Sequence, residues 1–587
     1  MVSSNEHKLP TYFFDDVTVE KTNYRVLKRG QVRILEPRAF DVLVYLIQHR
    51  GRVVGKEELF EQVWKRSFVT DSALTQEIRQ IRQAIGDDAG APRYVETVPK
   101  RGYRFIAEVN GSEAKITEPA AEQIQSFNSV VVLPFANLNA DPELDYFVDG
   151  ITDLLITDLG KIKSLKIISR TSSMQFKTAS RSLPQIAQQL KVSAVVEGAV
   201  MRVGGKVRVT VQLIEAATDQ HVWAECYDRD LCDILSLQNE LAGTVAEKIR
   251  VKLTPEEKVR LASHPQVQPE AYEAYLKGNY FLLKFVPGGP QKAIAFFQSA
   301  IEKAPNYAAA YAGLADTYGH LGFWGMVPPS EVATQIKASV MKALELDDTL
   351  CEAHTVLGKH RLYYDLDRLA AEKEFKLAME LKPNDISAIT HYALCLATMG
   401  RLEEALAEVE RAHELDPLSI PVSAIVGWHL FVLGRWNEAI EQWQKTLEME
   451  PNFSLSRWLL WRVYRLNGMF DNALNEFFHL NLLYNSDVMK AAKEGFTKSG
   501  YQLAMHQAAE TMAEQAKERY VPPMHVAMLF AHAEETEQAI EWLERAYDVH
   551  DPKLISVSVE PDWKKLRPLL RFQNLLRRFD LSDPKPA

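Results

Sequence analysis

Two groups of side chains in the first hundred or so residues have types and spacings that could do chemistry. The first is Ser72, Thr75, Gln76, Arg79, Gln80 and Arg82, the polar and cationic positions of the run DSALTQEIRQIRQAI (71–85). A guanidinium can donate two parallel hydrogen bonds to the O6/N7 edge of guanine, and a carboxamide can pair with the N6/N7 edge of adenine. The second group is Lys100, Arg101 and Arg104, at or beside the tip PKRG (99–102) between the alternating runs RYVETV and YRFIAEV. Cations on such a tip neutralise phosphates, which adds affinity without reading sequence. Neither group resembles a catalytic constellation, and the chain has no GxxxxGK[ST] loop, HExxH helix or GxSxG elbow. The glycines of 198–206 have the wrong spacing for a phosphate loop and sit in a hairpin.

Both groups need elements to hold them. Leu74, Ile78, Ile81 and Ile85 recur at steps of four, three and four, so 71–85 is an amphipathic helix with one apolar stripe. Asp71 is its candidate N-cap and Gly86 its C-cap. Short alternating segments at 12–14, 17–20, 24–28 and 31–35 predict a small antiparallel sheet ahead of it. Pro37 opens a helix that ends before Gly51, and a second helix runs from Lys56 to about Trp64.

Taken together, Leu35-Glu36-Pro37, Gly51-Arg52-Val53-Val54, Glu58-Leu59, Val63-Trp64, Ile78-Arg79-Gln80-Ile81-Arg82 and the run 95–105 resemble the OmpR/PhoB-type winged-helix effector domain of bacterial phosphorelay regulators, over residues 10–109. The resemblance implies an α+β winged helix-turn-helix. Its third helix would lie in the major groove and its hairpin wing in the adjacent minor groove. Ser72, Thr75, Gln76, Arg79, Gln80 and Arg82 would then be helix contacts, and Lys100, Arg101 and Arg104 wing or backbone contacts. Ser72 and Glu77 stand where phosphate-regulon relatives are often basic, so no operator sequence is implied. With fewer than about 15 residues before the first strand, no in-chain receiver domain is expected.

At 587 residues, 47% hydrophobic and 25% charged, the chain is a globular protein of several domains. Residues 21–104 hold 17 Lys/Arg against 10 Asp/Glu, a net of +7, so the remainder carries −17 of the overall −10. A basic head on an acidic body points to a nucleic-acid-facing module joined to something that repels DNA. Cys226, Cys232, Cys351 and Cys395 are too few and too irregular for a disulfide framework or a metal site, which suits a reducing cytoplasm. The N-terminus has no signal-like apolar region, and no run reaches the 18 or so apolar residues of a spanning helix. A transmembrane helix follows the same head in CadC-type membrane-bound activators, and its absence here argues against a membrane sensor.

Residues 110–127 read as a flexible linker. Residues 128–255 give a buried strand (129–135), a helix (142–159), a strand (165–169), a helix capped by Ser182, three long strands turning at Gly204-Gly205 and Thr218-Asp219, and a closing helix. That order, β-α-β-α-β-β-β-α, is a single-layer α/β fold. VVVLPF, Asp149-Gly150-Ile151 and VEGAV…VRVTVQLIEA…HVWAE resemble the TolB N-terminal domain, which implies no particular ligand.

From 268 to 580 the pattern is periodic. Gly400, Gly434 and Gly468 are 34 apart, as are Ala405, Ala439 and Ala473, and Pro383, Pro417 and Pro451. This is the tetratricopeptide (TPR) signature, an all-α superhelix of about five clear repeats, a divergent pair and a C-terminal cap. Such arrays expose a concave groove. Trp428, His429, Trp443, Trp458 and Trp461 are candidates to line it, although inter-helix packing suits them better, and Glu534-Glu535 reads as a solvated pair.

The expectation is a one-component, sequence-specific transcription regulator. Its partners would be double-stranded promoter DNA and, through the TPR groove, RNA polymerase or another protein, with a homodimer on DNA plausible. No cofactor, metal, membrane contact or catalysis is expected. The alternative is a TPR interaction scaffold merely tethered to DNA by its head.

Overall fold

The computed structural model describes residues 11–20, 25–33, 35, 37–63, 71–99, 101–109, 127–139, 141–177, 181–251, 253–262, 267–283, 288–480 and 483–579. The linker expected at 110–127 therefore falls almost wholly outside the described residues. The chain forms two compact units, Met1–Ile124 and Gln125–Ala587.

In the first unit, β1 (Thr11–Phe14), β2 (Val17–Glu20), β3 (Arg25–Lys28) and β4 (Gln31–Arg33) form an antiparallel sheet in sequence order. Arg29 and Gly30 both have positive φ, +52° and +74°, and close the two-residue turn whose twist matches that of the flanking strands. Three helices follow: α1 (Pro37–Gln48), α2 (Lys56–Val63) and α3 (Asp71–Ile85). The hairpin β5 (Val95–Val98) and β6 (Gly102–Phe105) completes the unit. Leu74, Ile78, Ile81 and Ile85 are all buried, in one core with Phe40, Leu43, Ile47 and Leu59. The stripe that predicted α3 is thus the stripe that anchors it.

The second unit begins with a sheet ordered β12-β11-β10-β7-β9, built from β7 (Ser129–Val132), β9 (Lys166–Ile167), β10 (Ala194–Val203), β11 (Lys206–Glu215) and β12 (Gln220–Asp230); β8 (Ala136–Asn137) also pairs with β10. Helices α4 (Asp145–Leu159) and α7 (Ile234–Ile249) pack with Val130 and Val132, whereas α6 (Leu183–Leu190) packs with Val131 and Leu133. Both faces of β7 are covered, so this part is not the single layer expected, and the unbroken apolar run 130–133 reflects that. Short α5 (Arg170–Met174) and β8 have too few residues to show a period and were not foreseen, nor was α8 (Pro255–Ala262).

The array follows as antiparallel pairs: α9 (Pro269–Leu283) with α10 (Gly289–Lys303), α11 (Ala308–Phe323) with α12 (Pro329–Leu346), α13 (Cys351–Tyr363) with α14 (Arg368–Leu381), α15 (Ile386–Thr398) with α16 (Leu402–Leu415), α17 (Ile420–Val432) with α18 (Trp436–Met449), and α19 (Ser454–Leu466) with α20 (Phe470–Phe477). That is six pairs where the sequence suggested about five. The next helix, α21 (Ser486–Gln515), reverses at Ser499–Gly500, where Gly500 takes φ +78°. Asn485 Nδ2 accordingly donates to Gln515 Oε1 at 2.8 Å, thirty residues on. A last pair, α22 (Pro523–His532) with α23 (Thr536–Asp548), leads through two 3₁₀ turns to α24 (Leu570–Arg578).

The periodic columns have separate physical roles. Gly400, Gly434 and Gly468 have φ of +81°, +79° and +73°, so they turn the chain between helices rather than letting helices approach. Ala405, Ala439 and Ala473 are fully buried. Phe375, Val409, Trp443 and Phe477 form a further buried column at the same period. Close approach occurs at other glycines: a Cβ on Gly427 would lie 2.3 Å from Trp443 Nε1.

Sheet region and array are one unit because α9 packs on α4, with Tyr272 and Leu276 in the sheet domain's core, and because loops of successive repeats grip the sheet domain. Asn384 Nδ2 donates to Leu165 O at 2.9 Å. Thirty-four residues later, Leu418 N donates to Ser172 Oγ at 2.8 Å, while buried Asp416 accepts from Ser172 N at 3.0 Å and Oγ at 2.6 Å. Burial raises the Asp416 pKa, although the serine hydrogen bonds oppose the rise.

Candidate nucleic-acid interface

The face of α3 opposite the apolar stripe is open to solvent. Thr75, Gln76 and Arg79 are exposed and Gln80 is half-buried. Ser72 lies in the first turn of α3, and its side chain is outside the described residues.

Arg82 behaves differently from Arg79, three residues earlier. Its Nη2 donates to Val95 O at 2.8 Å and to Thr97 Oγ1 at 2.9 Å, which ties the helix to the first wing strand. The expectation placed Arg82 among the helix contacts; here its Nη2 is engaged within the domain. Arg104 is likewise engaged: Nε and Nη2 donate to Glu96 Oε2 at 2.8 and 2.6 Å across the hairpin. Arg101 is exposed at the tip, and Lys100 is outside the described residues.

Sequence reasoning missed the groups that fix helix and wing in register. Lys28 Nζ donates to Ile85 O, the last carbonyl of α3, at 2.7 Å. Asp87 accepts from the backbone N–H groups of Arg93, Tyr94 and Val95 at 2.7, 3.3 and 2.8 Å. The wing base is pinned by the exchange Val54 N to Tyr103 O (2.8 Å) and Tyr103 N to Val54 O (3.0 Å). Gly102 has φ +138° there, and a Cβ would meet Val54 O at 2.0 Å. The available signal was glycine at the wing and aspartate after the helix-ending Gly86. Behind α3, Arg52 and Tyr45 both donate to Glu58; the Arg52 bond is the larger influence and pulls the Glu58 pKa down to about 2.

A helix with an open polar face and a wing tied beside it is an arrangement that suits a duplex. The family model for the C-terminal domain of transcriptional regulatory proteins matches residues 30–105. The head is an OmpR/PhoB-type transcriptional regulatory domain. Residues 126–244 match the second domain of HilA/YgeH-like transcriptional regulators, and the TolB likeness stays a resemblance of sequence.

Three curated relatives place these matches in longer chains. Transcriptional regulator HilA of Salmonella typhimurium is 23% identical over 413 residues, covering 69% of this chain and 70% of that one. Transcriptional activator CadC of Escherichia coli is 39% identical over 102 residues, 16% of this chain and 20% of its own. "Putative adenylate cyclase 3" of Rhizobium meliloti is 34% identical over 238 residues, so this chain spans only 40% of that relative's length. Both matching family models are of regulators.

In the array the aromatic candidates take the inter-helix packing role that suited them better than lining a groove. Trp443 and Trp461 are wholly buried, with Nε1 bonded to Ala424 O at 3.0 Å and to Tyr501 Oη at 2.8 Å. Trp428 Nε1 donates to Glu560 Oε1 at 3.1 Å, and Trp458 stacks on the guanidinium of Arg462 at 4.3 Å. His429 is buried with His525 and His532; burial pushes the first down to about 4 and the other two to about 3. Glu534 is exposed and pairs with exposed Lys565 at 2.6 Å, and Glu535 lies 2.6 Å from His506 Nδ1. Among the described residues no His/Cys/Asp/Glu cluster could hold a metal, and no helix is long and apolar enough to cross a membrane.

Proposed function

We propose that the chain is a one-component, sequence-specific transcription regulator whose head binds double-stranded promoter DNA and whose body answers to a protein partner. The observation that carries the reading is the contrast on α3: Arg79 is exposed beside Gln76 and Gln80, whereas Arg82 is held by the wing. Arg79, Gln80, Gln76, Thr75 and Ser72 read the major groove. Arg101 and Lys100 meet phosphate or the neighbouring minor groove, and Arg82 and Arg104 hold helix and wing in register. Binding on tandem half-sites gives a homodimer on DNA, with RNA polymerase as the downstream contact. The protein acts in the cytoplasm and catalyses no reaction of its own.

Genome-wide mapping of DNA bound by the full chain, followed by footprinting, tests the reading. Discrete sites with a constant footprint are expected, and Arg79→Ala changes which base is preferred at one position. Uniform binding to unrelated fragments, unchanged by that substitution, would overturn the proposal. The alternative of a scaffold merely tethered to DNA predicts the opposite ordering: loss of the body's partner with no change in transcription from the footprinted promoters.

A further inference from the structure

After α23 the chain turns at His550, whose φ is +55°, and runs back along the array. Its first 3₁₀ turn, Pro552–Ser556, packs against α11, α13 and α15, and Lys553 Nζ donates to Phe323 O at 2.6 Å. Seven and nine residues after Lys553, Glu560 and Asp562 reach α17 and α19. Trp428 Nε1 bonds Glu560, and Arg462 Nη2 lies 2.9 Å from Glu560 Oε2 and 2.6 Å from Asp562 Oδ2. Residues 551–563 thus cross the first helices of five successive repeats, as an extended peptide crosses the inner face of a repeat superhelix.

The way this segment is held resembles recognition of a ligand more than continuation of the stack. Its backbone bonds are largely internal, Leu554 N to Asp551 O, Val557 N to Leu554 O and Glu560 N to Ser556 O, so the short turns satisfy themselves. Its grip on the array is through the side chains of Lys553, Glu560 and Asp562, with Asp551 Oδ2 accepting from Met524 N at 3.4 Å; Trp563 is wholly buried and donates within the segment to Glu560 Oε2 at 3.1 Å. The receiving group is specific. Arg462 is fully buried, stacked against Trp458 and Phe431, and presents its guanidinium to both carboxylates. Among the described residues its Nη1 has no hydrogen-bond partner, so the resident segment leaves that donor unused.

We infer that residues 551–563 are a built-in ligand of the array, and that a partner reaches the inner face only by bringing a competing segment of the same chemistry, two carboxylates beside an indole. The inference rests on the reading of the body as the partner-binding element and names the chemistry it selects. The side chains of Leu554, Ile555, Val557 and Trp563, almost wholly buried, keep the resident in place when no competitor is present.

The test uses the full chain with one protease site inserted between Val549 and His550, and a fluorescent synthetic peptide of residues 551–569 as probe. Uncut protein is expected to leave the peptide free. Cut protein is expected to stay folded by circular dichroism and to exchange its fragment for the peptide, with uptake at least tenfold weaker in the cut Arg462→Lys variant. Unlabelled peptide carrying Glu560→Gln and Asp562→Asn should fail to compete. The inference is overturned if cut protein unfolds, since a ligand leaves its site folded. It is also overturned if folded cut protein never exchanges, or if uncut protein binds the peptide equally well. Promoter binding measured on the same samples reports separately on the head, so failure of the regulator reading and failure of this one are distinguishable.

Discussion

Head and body each carry a surface that the sequence marks for recognition, and the two are in opposite states. On α3 the polar face is open, and the cation best placed to read a base, Arg79, is exposed. On the inner face of the array the corresponding cation, Arg462, is buried and already holds two carboxylates of its own chain. Amphipathic spacing predicts which residues leave a helix's packed side. It does not predict whether a distant stretch of chain then covers them.

Substitutions that strike one region and spare the other sharpen that contrast. The largest effect is expected from Trp443→Ala. This fully buried indole fills the space beside Gly427, so the body should lose about 3–5 kcal/mol while the head melts as before in calorimetry. Acid should act on the body in the same way. His429, His525 and His532 are held neutral, with folded pKa values of about 4, 3 and 3, below an unfolded value near 6.5. The unfolded chain therefore takes up protons first, and the contribution of these groups is complete above about pH 6.5 and lost as pH falls toward the folded values. At pH 5.5 the three together should cost about 4 kcal/mol, read from denaturant midpoints at constant ionic strength.

In the head, Gly102→Ala meets both a positive φ and Val54 O, and should destabilise the unit by about 1–3 kcal/mol with the body unchanged. Arg79→Ala should cost about 1–3 kcal/mol at a single base pair of the footprinted site, whereas Arg82→Ala should lower head stability without altering the preferred base. Smallest, and equal on all sequences, is Arg101→Ala, which should reduce the salt slope of binding by about one.

The parts legible in the sequence are those fixed by local periodicity. The stripe of α3, the strand alternation before it and the 34-residue columns each follow from which side of an element must be buried. Short elements such as α5 escaped, because five residues show no period. The candidate site divides along the same line. That Arg79 faces outward is a property of α3 alone, but the engagement of Arg82 by Thr97 depends on a hairpin fifteen residues away. Glu560 reaches Trp428 across 132 residues, and no spacing rule reaches so far.

The two loops that grip the sheet domain bear on how the stack can deform. Asn384 and Leu418 occupy equivalent corners of consecutive repeats and hold Leu165 and Ser172 of one small, doubly covered sheet domain. A coil clamped to a single plate at two neighbouring turns cannot wind or unwind there without releasing one clamp. Any change of pitch elsewhere in the coil is geared at those turns into strain on Asn384 or on buried Asp416, and the sheet domain is the plate that bears it.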